Sequence, residues 1–110
     1  MGNRKVVEYV RIGSSPFAKW FSGREAPAAA KVATALYRLE QGNVSNVKSV
    51  GKGVSEYKID FGPGYRIYFG QEGDELVILL GGGAKKTQEK DIQIAQMLWL
   101  EYKQAKAKKK

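Results

Sequence analysis

The sequence predicts an α+β domain, and three observations carry that prediction. An alanine-rich segment beginning near residue 27 repeats its apolar positions at helical spacing, residues 47–80 break into short runs of β-branched and aromatic residues, and a segment from residue 87 returns to helical spacing. Helices and strands are segregated along the chain rather than alternating, which points to a small antiparallel sheet with two helices before its main strands and one after them. At 110 residues there is room for one core. The expected division is one domain over residues 1–102 and a basic lysine-rich tail over 103–110.

Each element has its own signal. "KVVEYVRIG" (5–13) is rich in β-branched residues and ends at glycine, as a first strand would. "SSPFAKWF" (14–21) offers a serine cap and a proline for the first turn of a short helix. In "PAAAKVATALYRLEQGN" (27–43), Val32, Leu36 and Leu39 make one apolar stripe, and Gly42-Asn43 is a suitable stop. "VKSV" (47–50), "EYKIDF" (56–61) and "YRIYF" (65–69) read as strands, the last two with strict alternation. "ELVILL" (75–80) is apolar throughout its last five residues, the pattern of a strand covered on both faces. "GGGAKKT" (81–87) reads as a loop, after which Thr87 caps a helix with Glu89 and Asp91 in its first turn and Ile92, Ala95, Trp99 and Tyr102 facing inward.

The stretch "FGPGYRIYF" (61–69) poses the functional question. With Gly62-Pro63-Gly64 as a three-residue loop, Phe61 pairs with Tyr65, Ile59 with Ile67 and Tyr57 with Phe69, all apolar on both members. The opposite face then sets Asp60 against Arg66 and Lys58 against Tyr68, leaving Arg66 on a polar sheet face. Two readings remain open: a cross-strand Asp60–Arg66 ion pair worth about 0.2–1 kcal/mol, or a cationic face for an anionic substrate, with Lys58 beside Arg66 and Lys85 and Lys86 at the rim.

Composition narrows the classes. The chain has no cysteine and no histidine, so disulfides and the usual thiol and imidazole ligands of zinc are excluded, and its carboxylates do not cluster as a two-metal site would. No metal or cofactor is expected. No run approaches the length of a membrane span and no leader is visible, so a cytoplasmic protein is expected. Of the net charge of +8, five lysines in the last eight residues account for five units. The remaining +3 permits a nucleic-acid partner without requiring one. "GGGAKKT" lacks the spacing of a phosphate loop, although amides and lysines at a helix start suit a phosphate. Trp20, Phe21, Trp99 and Tyr102 fall at helical spacing and read as core.

The runs "RLEQGN…VKSVGKGVSEYKIDFGPGYRIYF" (38–69) and "ILLGGGAKKTQEKDIQIAQ" (78–96) resemble the RelE/ParE toxin superfamily, in particular its phage-derived, HigB-like branch of addiction module killer proteins. The resemblance covers about residues 17–102. It implies a RelE-like fold and a type II toxin neutralised by a cognate antitoxin, in this branch usually a helix-turn-helix protein. RelE-like members cleave messenger RNA on the ribosome without metal; ParE-like members inhibit DNA gyrase and have no hydrolytic site. Carried onto this chain, Arg66 matches the arginine near the scissile phosphate, Lys58 a basic residue on the preceding strand, and Lys85 or Lys86 a basic residue after the last strand. Lys48 and Lys52 join them as candidate RNA contacts. Asp60 stands where RelE carries a lysine.

The implied chemistry is a 2′-hydroxyl attacking the adjacent phosphate. Arg66 would stabilise the phosphorane, Lys58 would act as base, and Tyr68, expected across from Lys58, completes the candidate catalytic set. The alternative is a non-enzymatic toxin that binds gyrase.

Overall fold

A computed structural model describes residues 4–108 of the chain. Its elements run β1 (Lys5–Glu8), α1 (Pro16–Ser22), α2 (Ala26–Glu40), β2 (Val47–Gly51), β3 (Val54–Ile59), β4 (Tyr65–Glu72), β5 (Leu76–Gly83), a 3₁₀ turn (Lys85–Thr87) and α3 (Gln88–Lys108). The α+β class follows directly from this order. The sheet has five strands in the order β1-β5-β4-β3-β2. It is mixed rather than antiparallel, because β1 lies parallel to β5, with Lys5 beside Leu76 and Glu8 beside Leu79. Two helices separate β1 from the other strands and carry the chain to the far edge, where it re-enters as β2; three antiparallel steps then bring β5 back beside β1 in the same direction.

Local chemistry explains the helices. Ser15 caps α1 by accepting a hydrogen bond from the Ala18 amide at 3.0 Å, and Pro16 occupies the first turn. Alanines carry α2, whose buried stripe is Ala28, Val32, Ala35 and Leu39, with Leu36 partly buried beside it. Ala95, Leu98 and Trp99 form the buried face of α3, flanked by Ile92 and Tyr102. The lysine-rich stretch expected as a tail continues α3 through residue 108; residues 109 and 110 lie outside those described.

Two apolar clusters lie on opposite sides of the sheet. Tyr57, Ile59, Ile67, Phe69, Val77 and Leu79 meet α1 and α2 on one side. Tyr68, Ile78 and Leu80 meet α3 on the other. A tryptophan seats each cover. The Trp20 ring packs where a Cβ at Gly82 would stand, and the Trp99 ring does the same at Gly70. Both aromatics are therefore packing residues, as their spacing suggested. The glycines of "GGG" are strand, not loop: β5 runs to Gly83, and a bulge between the Phe69–Leu79 and Tyr68–Gly81 pairs turns Gly82 toward α1.

The hairpin departs from the expected register by two residues. Ile59 pairs with Tyr65, Tyr57 with Ile67, Lys58 with Arg66 and Glu56 with Tyr68. The strands end at Ile59 and Tyr65, so the loop is Asp60–Gly64 and not the glycine-proline-glycine triplet alone. The Phe61 amide donates to the Ile59 carbonyl and the Gly64 amide to the Phe61 carbonyl, which closes Phe61 into the turn and keeps it out of the ladder. A shift of two preserves the alternation, so each side chain keeps its expected side of the sheet while its opposite neighbour changes.

Candidate functional site

Arg66 stands at the junction of β4, the β3–β4 loop and the start of α3. It is buried, at 5% exposure, and not on an open polar face. The reason is α3: the helix covers this side of the sheet, and Gly83, directly across from Arg66 on β5, lets Asp91 approach the strand. The carboxylate partner of Arg66 is Glu56 and not Asp60. Glu56 Oε2 lies 3.5 Å from Arg66 Nε, and Glu56 is 1% exposed. Gln88, the first residue of α3, donates to the same Oε2 at 2.7 Å, while Arg66 Nη1 donates to the Gly64 carbonyl at 2.7 Å. Helix, hairpin loop and strand are thus tied through one buried ion pair.

This pair forms the inner wall of an open cleft of about 440 Å³, lined also by Ser45, Asn46, Lys48, Lys58 and Asp60. Three cations and two carboxylates converge there. Lys58 and Lys48 are exposed at the outer side, and Arg66 reaches the cleft from below. Lys85 flanks the corner: its amide donates to the Pro63 carbonyl, and a Cβ at Gly64 would lie 3.5 Å from Lys85 Cβ and 3.4 Å from Arg66 Nη1. Lys86 follows it, exposed, in the 3₁₀ turn. Lys52 belongs elsewhere, in the β2–β3 turn beside a groove shared with Met97, Leu100 and Lys103.

Tyr68 does not lie across from Lys58. It faces Glu56, is 1% exposed, and packs in the α3-side core. Burial pushes its phenol well above the ordinary tyrosine range, with the charges of Glu56 and Asp91 adding to the rise and Arg66 opposing it. Its hydroxyl has no hydrogen-bond partner among the described residues. A phenol so placed stays protonated and has no route to a substrate in the cleft.

The start of α3 likewise serves internal carboxylates: Thr87 donates to Asp91 at 2.6 Å rather than capping the helix amides, and Gln88 holds Glu56. No group of three or more histidine, cysteine or carboxylate side chains that could hold a metal occurs among the described residues. No helix among them is long and apolar enough to cross a membrane. Glu56 is the residue that sequence reasoning missed. Strand parity puts it on the same side as Lys58 and Arg66, and only the two-residue shift of register removes Asp60 from Arg66 and leaves Glu56 as its partner.

No protein-family model matches the chain. It is 45% identical over 83 residues to an uncharacterized protein of Haemophilus influenzae, a match covering 74% of this chain and 84% of that protein. The chain belongs to that protein's family. Such coverage takes in most of both chains, so the kinship extends well beyond a shared motif.

Proposed function

We propose that this protein is the toxin of a type II toxin–antitoxin module of the RelE/ParE superfamily, acting as a metal-independent, ribosome-dependent endoribonuclease on messenger RNA. The observation that supports it is the convergence of Lys48, Lys58 and Arg66 on one open cleft, with Lys85 at its corner. In this reading Lys48 holds a backbone phosphate, with Lys85 and Lys86 extending the cationic rim. Lys58, as the amine, takes the proton of the 2′-hydroxyl, whose oxygen bonds to phosphorus as the bond to the 5′-oxygen breaks. Arg66 stabilises the phosphorane with a fixed charge that needs no reorganisation. The proton that Lys58 has taken passes through water to the departing 5′-oxygen, a step that Tyr68, buried on the α3 side, does not serve. A cognate helix-turn-helix antitoxin and a cytoplasmic site of action complete the proposal.

One observation favours a second reading. The Glu56 carboxylate already occupies part of the guanidinium that a phosphorane would engage, which suits a non-enzymatic toxin that binds gyrase. Transcript-end mapping after induction, run beside a supercoiling assay, separates the two. Lys58→Ala, whose side chain is exposed, is the informative variant: the nuclease reading expects a loss of cleavage of about 10²–10³ with an unchanged melting temperature. Growth arrest with intact transcripts and inhibited supercoiling would transfer the proposal to gyrase.

A further inference from the structure

The opposite end of the sheet carries a surface that the cleft does not use. Among the described residues β1 is an edge strand, paired only with β5. The Lys5 and Tyr9 amides donate toward β5, to the Glu75 and Leu79 carbonyls, so by alternation the N–H and C=O groups of Val6 and Glu8 point outward. Beside this edge α3 leaves part of the sheet uncovered. A groove of about 580 Å³ results, floored by Val7, Leu76 and Ile78 and walled by Tyr102 and Ala105.

The strand ends in a two-residue turn, with Arg11 and Ser14 exchanging both backbone hydrogen bonds. Its central residues, Ile12 and Gly13, have φ of 49° and 73°. Both positive values mark the turn type that favours asparagine then glycine. Isoleucine is among the worst residues for that first position, because its branched Cβ crowds the backbone. Packing does not compensate, since Ile12 is 97% exposed and its neighbour Val10 is 56% exposed. A strained, solvated isoleucine beside an open edge and an apolar groove gains nothing within this chain.

From this placement we infer that the β1 edge is a docking surface for an extended, acidic segment of a partner protein, added to the sheet as a sixth strand, with Ile12 and Val10 as its apolar anchors. The unpaired ladder groups select polypeptide in extended form. Alternate side chains of the incoming strand enter the groove. Charge selects against a second copy of this chain and for an acidic partner: Lys5 and Lys106 line the groove against one carboxylate, Glu8, and the chain carries +8 overall, so two copies repel while an acidic segment is drawn in. The inference stands independently of the nuclease reading.

The test uses the full chain and a capped peptide of alternating isoleucine and glutamate, about eight residues long. Saturable binding is expected, with hydrogen exchange at the Val6 and Glu8 amides slowed about tenfold or more. Ile12→Asn should weaken binding about tenfold while raising the melting temperature of the free chain, because asparagine relieves the turn. That opposition of signs is what a merely structural role for Ile12 would not produce. A peptide with prolines in place of its central isoleucines, unable to complete the ladder, should not bind. Four results would each overturn the inference: no saturable binding, equal binding of the proline peptide, unchanged affinity in Ile12→Asn, or sedimentation showing that this edge pairs two copies of the chain.

Discussion

The two faces of the sheet are covered by helices in different ways. Beneath α1 and α2 the contact is apolar from end to end, from Phe17 through Val32 and Leu39 to Phe69 and Val77. Beneath α3 it divides. Trp99, Leu98 and Ala95 seal the middle against Tyr68 and Ile78, whereas the first turn of the helix meets the sheet through Gln88, Glu56 and Arg66. One face is specified by shape, and part of the other by charge. Burying charge costs free energy that apolar packing does not, so the place where the chain retains it is the place to look for function.

The largest expected effect tests that division. Glu56→Ala strands a buried guanidinium, and removing one partner of such a pair costs about 3–5 kcal/mol. Replacing both, with Glu56→Leu and Arg66→Met together, should recover most of the loss in denaturant unfolding. If the double variant stays as unstable as the single, the pair itself holds α3 to the sheet and the charged end is structural. Arg66→Ala is for the same reason a poor probe of catalysis unless its stability is measured beside its activity.

The packed regions should respond alike on both faces. Gly70→Ala drives a Cβ into the Trp99 ring and Gly82→Ala drives one into the Trp20 ring. Overpacking of this kind costs about 1–3 kcal/mol. Similar losses for the two variants would confirm that the faces differ only near Glu56; a much milder Gly70→Ala would show that α3 yields where α1 does not.

The smallest effect is a pH dependence confined to the α3 side. Burial, aided by its hydrogen bond to Glu72 and that group's charge, pushes the Tyr102 phenol from 10.0 up to about 12. A phenol raised on folding holds its proton more tightly in the native state. Its contribution is therefore whole below pH 10.0 and is lost as pH climbs through about 12. Tyr102→Phe should flatten the alkaline limb of the stability curve. An unchanged limb would assign it to Tyr9 or Tyr68, whose phenols burial also raises on the same side of the sheet.

Most of the architecture was legible in the sequence because the local signals agreed. Ser15 and Pro16 fixed the start of α1, Val32 and Leu39 the inner stripe of α2, and the alternation around Tyr57 and Ile67 the sides of the hairpin. Other features were misread for physical reasons. Loop length sets register, and "FGPGY" does not reveal that Phe61 folds into the turn instead of pairing. The burial of Arg66 was announced more clearly than its own neighbourhood suggests. An unbroken apolar β5 requires cover on both faces, and a helix over its second face lies over β4 as well, so the even-numbered residues of β4 could not all be open to water. The parallel placement of β1 left no local mark, since direction in a sheet is decided by partners about seventy residues away.

That separation has a kinetic consequence. Pairing Lys5 with Leu76 closes a loop of about seventy residues, and the entropy of closure is incurred before any ladder bond repays it. β2, β3, β4 and β5 are joined by short turns and can assemble first, with α3 folding down beside them. On the ribosome the first strand to emerge is thus the last to find its place, waiting until β5 has left the exit tunnel. Until then the edge of β5 that β1 will cover stands open to any other extended chain.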